Sequence, residues 1–182
     1  MLENRVAPIS ETTIRFFSFF TILTNILTAV YFTILSFQAD KPHSSIASAG
    51  TVTAITVYIT VVGLVYQITL RHLWQPQGMQ RIVDELLHTI IPILVIIFWS
   101  ISGRNRTLRY SSAFVWLMYP LVYLIFILVR GNASGFYPYP FVDVSKLGLT
   151  KVLQNAGYLM LLFLFLSIVF IFIGRNKRNE VN

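Results

Sequence analysis

Five long apolar stretches, separated by short polar segments, dominate the pattern of residues along this chain. A hydrocarbon core of about 30 Å needs roughly 20 apolar residues for each helical crossing, and each stretch has about that length. A barrel strand would instead need about 10 residues that alternate between apolar and polar, and these stretches do not alternate. The pattern therefore predicts an all-α bundle of about five transmembrane helices in a single domain, residues 1–182. The predicted helices cover residues 14–37, 46–70, 84–101, 110–129 and 152–173.

The connecting segments hold most of the residues that interrupt helices. Pro42 follows the first stretch, and Pro76 and Gly78 follow the second. The longest connection, residues 130–151, contains Tyr137-Pro138-Tyr139-Pro140, which we call the YPYP segment. Its two prolines prevent a continuing helix. The segment is therefore predicted to be a loop over one end of the bundle.

The composition agrees with a membrane location. Of the 182 residues, 55% are apolar and only 12% are charged, whereas a soluble domain of this length needs a largely polar surface. The chain has no cysteine, which excludes disulfides and cysteine-ligated metals. No HxxxH or HExxH pair is present, so neither a metal nor another cofactor is expected. The net charge of +7 comes from Lys and Arg at the ends of apolar runs, which indicates contact with lipid headgroups and not with nucleic acid.

Five crossings divide the connections between two membrane faces. Side A receives the N-terminus and the segments 71–83 and 130–151, and side B receives 38–45, 103–109 and the C-terminus. Basic residues are densest on side B, which predicts that side B and the C-terminus are cytoplasmic. Trp99 and Trp116 also lie near side B, where an interfacial aromatic belt is expected. The dense basic positions are Arg104, Arg106, Arg109, Arg175, Lys177 and Arg178.

Polar residues inside the apolar stretches indicate which helix faces are turned away from lipid. The first helix carries one such stripe at three- and four-residue spacing, and the second helix carries another. Hydroxyls in such stripes commonly bond back to helix carbonyls and pack against other helices. The alternative is that they line a pocket or a path for a lipid or small solute. The first stripe is Ser18, Thr21, Asn25 and Thr28, and the second is Thr53, Thr56, Thr60, Gly63 and Gln67.

His88 is the intramembrane residue best suited to proton transfer. It follows Asp84 by four residues and Glu85 by three, so all three share one face of a helix. One interpretation is a histidine at the helix start that is hydrogen-bonded to a neighbouring carboxylate or carbonyl at the membrane interface. The other is a general base whose tautomer is fixed by Asp84. At 1.5 Å per residue, Thr21 lies roughly 10 Å and His88 roughly 6 Å from side A, so the two can meet if their helices pack together. The YPYP segment lies over the same side, as a possible lid carrying Tyr137 and Tyr139.

Three segments of the chain form motifs that are informative in combination. The first is Phe19–Asn25, with the sequence FFTILTN. The second is Asp84–Pro92, with the sequence DELLHTIIP. The third is Tyr119-Pro120 followed by YPYPFVDV at 137–144. In this order they resemble a family of polytopic membrane proteins with an FTI.(S/T)N opening, which comprises the androgen-induced and androgen-dependent TFPI-regulating proteins and their bacterial relatives. The resemblance extends from about residue 16 to residue 148.

The resemblance implies a specific activity. Animal members are threonine hydrolases that cleave fatty acid esters of hydroxy fatty acids, and their Thr and His fall on Thr21 and His88. Thr21 would attack the ester carbonyl while His88 takes its proton. Asn25, one turn beyond Thr21, is a candidate to hold the oxyanion, and Asp84 is a candidate to support His88. The family usually has one helix before the Thr-bearing span, so we expect either a shortened start or a five-helix member.

The sequence therefore favours an intramembrane lipid ester hydrolase with a membrane lipid as substrate, located in a bacterial plasma membrane. Thr60, Gln67, Tyr137 and Tyr139 are the predicted pocket or lid residues. Two alternatives remain open. One is a lipid- or solute-binding or transport protein with a proton-sensitive His88–Asp84 site. The other is a structural bundle in which the polar stripes are packing surfaces.

Overall fold

The computed structural model describes residues 8–37, 48–103 and 107–176, and these ranges form helices without strands. Five of the helices are long and apolar enough to cross a bilayer, so the all-α transmembrane bundle is confirmed. The predicted loop 38–45, Arg104, Arg106, Lys177 and Arg178 lie outside the described ranges. We number the helices α1 (Ile9–Phe17), α2 (Phe20–Phe37), α3 (Ala49–Leu70), α4 (Met79–Ser102), α5 (Ser112–Ser134), α6 (Val144–Leu147) and α7 (Leu149–Arg175).

Helix α3 forms the centre of the bundle and contacts α2, α4 and α7. In its most apolar stretch 67% of the residues are buried, against 17–28% in the other four membrane-spanning helices. Val57 and Ile59 of α3 are fully enclosed. The outer helices turn residues such as Ile97 and Phe165 outward, as expected for side chains in contact with lipid. The core is thus built around α3.

The first predicted helix, residues 14–37, is in fact two helices, which is a correction to the sequence analysis. Helix α1 ends at Phe17 and α2 starts at Phe20. The Ser18 hydroxyl bonds back to the Ile14 carbonyl at 2.7 Å, and the Ser18 N–H bonds to the Arg15 carbonyl at 3.1 Å, which closes the turn. The Tyr123 hydroxyl then donates to the Ser18 carbonyl at 2.8 Å. A side chain from α5 thus stabilises the break.

Three other boundaries extend beyond the predicted ones. Helix α4 starts at Met79 and not at Asp84, α5 ends at Ser134 and not at residue 129, and α7 starts at Leu149 and not at residue 152. The predicted limits followed the ends of the apolar stretches. Helices continue past the hydrocarbon region wherever their backbone bonds are still satisfied. Arg81, Arg130 and Lys151 consequently lie within helices.

Trp99 and Trp116 do not form an aromatic belt, because both indoles are buried inside the bundle. The Trp99 Nε1–H donates to the Thr53 hydroxyl of α3 at 2.9 Å. The Trp116 carbonyl accepts a bond from the Tyr58 hydroxyl at 2.8 Å. The position of a Trp along a helix gives its depth in the membrane. Whether its indole faces lipid or the core depends on its direction around the helix axis.

Two π-helical turns interrupt the α-helical hydrogen bonding near side A. They span Tyr66–Leu70 in α3 and Leu86–Ile90 in α4. In the second turn, the Ile91 N–H bonds to the Leu86 carbonyl, five residues back. Pro92 explains this turn, because proline has no N–H to offer the carbonyl four residues before it and its ring crowds that carbonyl. The distortion sets the direction of His88.

Helix α1 is attached to the YPYP end of the bundle by charged and aromatic contacts. Glu11 accepts hydrogen bonds from Arg15 at 2.8 Å and from Arg130 of α5 at 2.9 Å. The hydrogen bond from Arg15, with the added effect of Arg130, lowers the pKa of Glu11. Both guanidinium groups also lie over the Phe136 ring, 4.7 Å and 5.2 Å from its centroid. Exposed apolar side chains of α1, among them Ile9 and Ile14, are suited to the membrane interface.

Gly131 of α5 leaves the space that the Tyr137 ring occupies. A methyl group at Gly131 would lie 2.0–2.5 Å from three ring atoms of Tyr137. We expect Gly131→Ala to displace the YPYP segment and to lower the free energy of unfolding by about 1–3 kcal/mol. Thermal unfolding in detergent micelles measures this. Gly157→Ala is the matched control, because a methyl group there would have no atom of another described element within 4 Å. An equal melting temperature for the two variants would contradict the prediction.

Candidate active site

Thr21 and His88 meet near the side A end of the bundle. Thr21 lies in the first turn of α2, and His88 lies in the π-helical turn of α4. The Thr21 Oγ1 atom is 3.3 Å from His88 Nε2. Asn25 joins the two helices beside this pair, since its Nδ2 donates to the Thr21 carbonyl at 2.9 Å and to the Leu87 carbonyl at 3.4 Å. Helix depth allowed this contact if the two helices pack together, and Thr21 and His88 are in contact in the structure.

His88 is held with its Nε2 directed at Thr21. Its Nδ1 is 2.9 Å from the Asp84 backbone carbonyl and 3.3 Å from Asp84 Oδ1, and both of these oxygens act as acceptors. The Nδ1 atom therefore carries a hydrogen, and in the neutral ring Nε2 is left as the acceptor. The Tyr66 ring stacks on the imidazole with a centroid distance of 4.0 Å, and the Tyr66 hydroxyl bonds to Asp84 Oδ2. These contacts fix both the tautomer and the plane of His88.

Thr21 differs from the other threonines of the two polar stripes. The hydroxyls of Thr28, Thr56 and Thr60 bond back to the carbonyl four residues earlier, at 2.6–2.8 Å. The packing interpretation is therefore correct for those residues. The Thr21 hydroxyl contacts two polar side chains from other parts of the chain, His88 at 3.3 Å and Tyr139 at 3.4 Å. An acceptor nitrogen beside a hydroxyl is the arrangement that nucleophilic catalysis requires.

The YPYP segment inserts Tyr139 into the site. The Tyr139 hydroxyl is 3.3 Å from the Thr21 backbone nitrogen, across a sequence separation of 118 residues. The ring stacks on Phe141 at 5.2 Å, with an interplanar angle of 4°. Burial raises the pKa of Tyr139, so its hydroxyl keeps its proton at neutral pH. Tyr137 points elsewhere and packs against Gly131.

Two cavities of opposite character are lined by residues of the site. One has a volume of about 80 Å³ and is almost entirely apolar. Thr21 and Tyr139 reach its wall, together with Phe20, Val62, Leu124, Met160 and Phe163. The other is a polar cavity of about 320 Å³ whose lining includes Tyr66, Arg71, Arg81, Asp84 and Glu85. The lining of the first cavity suits hydrocarbon, and the lining of the second suits water or a polar group.

Comparisons of the chain with models of protein families, with curated proteins and with solved structures find no match. A hydroxyl, an acceptor nitrogen and an acid behind that nitrogen form the sequence of contacts found in Ser-His-Asp hydrolases on several unrelated folds. In this protein, His88 Nδ1 is contacted by the backbone carbonyl of Asp84 in addition to its carboxylate.

Three of the predicted pocket or lid residues are not part of the apolar cavity, which corrects their assignment. Thr60 bonds back within α3, and Tyr137 packs on α5. Gln67 belongs to a polar network near side A, where its Nε2 donates to the Thr89 hydroxyl at 2.8 Å and its Oε1 accepts from Arg71 at 2.6 Å. Of the four predicted pocket or lid residues, Tyr139 is the one that lines the cavity.

Asn25 also differs from its predicted role. Both hydrogens of its amide nitrogen are used by the Thr21 and Leu87 carbonyls, so none is left for an oxyanion. Its Oδ1 is buried without a hydrogen-bond partner within the part of the chain that the structure describes, but an oxygen acceptor cannot stabilise an anion. Asn25 therefore positions α2 against α4.

The contact of Tyr66 with His88 and Asp84 was not predicted from the sequence. Tyr66 lies within an apolar run, where only its phenol distinguished it from its neighbours.

Proposed function

We propose that this protein is an intramembrane hydrolase of fatty-acyl esters, with Thr21 as nucleophile and His88 as general base. The observation that carries the proposal is the 3.3 Å contact between Thr21 Oγ1 and an His88 Nε2 that is free to accept a proton. Asp84 acts as a positioning residue through its two contacts with His88 Nδ1. A base within hydrogen-bond reach is what a threonine needs to act as a nucleophile.

The family resemblance supports the same residues and suggests the substrate. In the androgen-induced and androgen-dependent TFPI-regulating proteins, the matching Thr and His cleave fatty acid esters of hydroxy fatty acids. We extend that substrate class to this chain, together with a bacterial plasma-membrane location and a cytoplasmic C-terminus. The apolar cavity, with Phe163 and Met160 in its wall, provides a suitable environment for one acyl chain of such an ester.

Acylation begins with attack by Thr21 on the ester carbonyl. The bond from Oγ1 to the carbonyl carbon forms, the hydroxyl proton passes to His88 Nε2, and the carbonyl electron pair moves to oxygen. The tetrahedral intermediate then collapses, and the bond to the alcohol oxygen breaks. The proton on Nε2 passes to that oxygen, which releases the hydroxy fatty acid and leaves the acyl group on Thr21.

Deacylation repeats the sequence with water. His88 Nε2 takes one proton from a water molecule, the oxygen adds to the acyl carbon, and Thr21 leaves and regains its proton. The polar cavity beside Asp84 and Tyr66 offers a route for that water from side A. The apolar cavity, whose wall includes Thr21, would hold part of the acyl chain.

The test is direct detection of the acyl-enzyme. Purified protein in detergent micelles is mixed with a palmitoyl ester of a hydroxystearic acid, quenched with acid at short times and digested. We expect the palmitoyl mass on the peptide that contains Thr21, and release of both products at longer times. A folded protein that releases neither product and carries no adduct would overturn the proposal.

A second candidate is non-enzymatic binding of a lipid or small solute, with His88 and Asp84 as a proton-sensitive element. The apolar cavity favours it as well. This function requires the pocket but not the Thr21 hydroxyl. Retention of a fluorescent fatty acid with the same affinity by wild type and by Thr21→Ala, with no acyl adduct in either, would select it.

A further inference from the structure

The break between α1 and α2 leaves a backbone amide at the site. The first N–H groups of any helix have no partner within that helix, and Thr21 is the second residue of α2. The Thr21 N–H donates to the Tyr139 hydroxyl oxygen at 3.3 Å. This bond leaves the phenolic hydrogen of Tyr139 free to donate in its turn. The partial positive charge at the start of α2 is directed at the same place.

The phenolic hydrogen can point in only a few directions. The Tyr139 oxygen is 3.4 Å from Thr21 Oγ1, whose own hydrogen is directed to His88 Nε2. Donation therefore runs from the Thr21 N–H to Tyr139, from Tyr139 to Oγ1, and from Oγ1 to the imidazole. Each donor in such a chain polarises the next. The Tyr139 hydroxyl is thus a buried donor aimed at the reacting oxygen, at the wall of the apolar cavity.

Within the described parts of the chain, no other side chain beside Thr21 has an uncommitted hydrogen-bond donor. Asn25 uses both hydrogens on carbonyls, and the His88 Nδ1–H is held by Asp84 on the far side of the ring. The Tyr123 hydroxyl is committed to the Ser18 carbonyl at 2.8 Å. A tetrahedral intermediate at Thr21 would otherwise develop its negative charge in an apolar cavity, which is costly.

We infer that Tyr139 is a catalytic residue that donates its phenolic hydrogen to the oxyanion formed when Thr21 attacks the ester carbonyl. The inference rests on the proposed hydrolase function. As the bond from Oγ1 to the carbonyl carbon forms, the electron pair of the carbonyl moves to the carbonyl oxygen, which is then bonded to the same carbon as Oγ1. The Tyr139 hydrogen turns from Oγ1 to that oxygen, donates to it, and returns to Oγ1 when the intermediate collapses. No net proton leaves Tyr139.

The test compares Tyr139→Phe with wild type, and Tyr119→Phe is the matched control. Tyr119 is another phenol of the core, and its hydroxyl contacts Thr24, three residues after Thr21 on the same helix, at 3.3 Å. Tyr119 does not belong to the apolar cavity wall. Three quantities are measured in micelles: kcat and KM for the ester, the affinity of a trifluoromethyl ketone that forms a hemiketal oxyanion, and the affinity of the corresponding ether, which cannot.

We expect Tyr139→Phe to lower kcat about 100- to 1000-fold, which is the usual effect of removing one oxyanion donor. The affinity of the trifluoromethyl ketone should fall by a similar factor, whereas the ether affinity and KM stay within about threefold of wild type. Tyr119→Phe should retain kcat within about threefold. A Tyr139→Phe enzyme with a kcat within tenfold of wild type overturns the role of Tyr139 and leaves the hydrolase standing. An equal loss of ether affinity indicates a packing role and overturns it as well.

A second substitution keeps the shape of the ring and so avoids any loss of fold. Tyr139→3-fluorotyrosine retains the hydroxyl but makes it more acidic and a stronger donor. We expect kcat measured below the pKa of the fluorophenol to stay at or above the wild-type value. A tenfold or larger fall there overturns the donor role. A folded wild type that neither hydrolyses the ester nor forms an acyl-enzyme overturns the proposed function, and the role of Tyr139 with it.

Discussion

Thr21→Ala is expected to reduce kcat/KM for ester hydrolysis by at least about a thousandfold, because it removes the hydroxyl that contacts His88 Nε2. It should also abolish labelling by a fluorophosphonate probe. The effect on stability should be small, since the hydroxyl contributes hydrogen bonds worth about 1 kcal/mol in total. Hydrolysis rates, gel fluorescence after labelling and thermal unfolding in micelles measure the three effects.

Two further variants distinguish a nucleophilic role of Thr21 from a packing role in the polar stripe of α2. Thr21→Ser keeps the hydroxyl beside His88 and should retain labelling. Thr28→Ala removes another buried hydroxyl of α2, one that bonds back to the Thr24 carbonyl at 2.8 Å, and should leave turnover within a few-fold of wild type. Equal activity in Thr21→Ala and Thr28→Ala would show that Thr21 is a packing residue only.

His88→Ala is expected to reduce turnover to a level close to that of Thr21→Ala, because an unassisted threonine is a poor nucleophile. The deletion leaves a space against the Tyr66 ring, which lies 4.0 Å from the imidazole centroid in the intact protein. Added imidazole should therefore restore part of the fluorophosphonate labelling. A role in folding alone predicts no such rescue. His72→Ala is the control, since His72 is exposed in the connection between α3 and α4.

Asp84→Asn should have a smaller effect than His88→Ala, about tenfold to a hundredfold on kcat. The Asp84 backbone carbonyl, 2.9 Å from His88 Nδ1, is closer than the carboxylate oxygen at 3.3 Å and is unaffected by the substitution. The tautomer is thus kept, whereas the stabilisation of the charged imidazolium is lost. A loss as large as that of His88→Ala would mean that the carboxylate, and not the carbonyl, controls the tautomer.

The membrane-spanning fold was predictable because each crossing depends on the length and apolar character of one continuous stretch of residues. Apolar length identifies the five crossings, and the helical rise placed Thr21 and His88 at similar depth before their contact was observed. Thr21 and Thr28 of α2 are both buried, as their seven-residue spacing on one helix face indicates. These predictions need only residues that are close to one another in the sequence.

The remaining part of the site depends on contacts that sequence spacing does not contain. No proline or glycine marks the break after Phe17, which a phenol from α5 stabilises. The approach of Tyr139 to Thr21 joins residues 118 positions apart through an irregular segment. Asn25 was a reasonable oxyanion candidate by depth, but its donors are used by two carbonyls, one of them on α4. Depth predicts neighbours, whereas hydrogen-bond partners depend on how the helices are rotated.

The central position of α3 has a consequence for how this sequence can change over time. Residues that face lipid on the other four spans need only be apolar, so substitutions among Leu, Ile, Val and Phe there are close to neutral. Helix α3 is buried over most of its circumference, and Val57 and Ile59 have no solvent-accessible surface. Volume changes at such positions must be matched by neighbouring helices. Substitutions in α3 should therefore accumulate slowly and in compensating pairs, while the outer helices diverge.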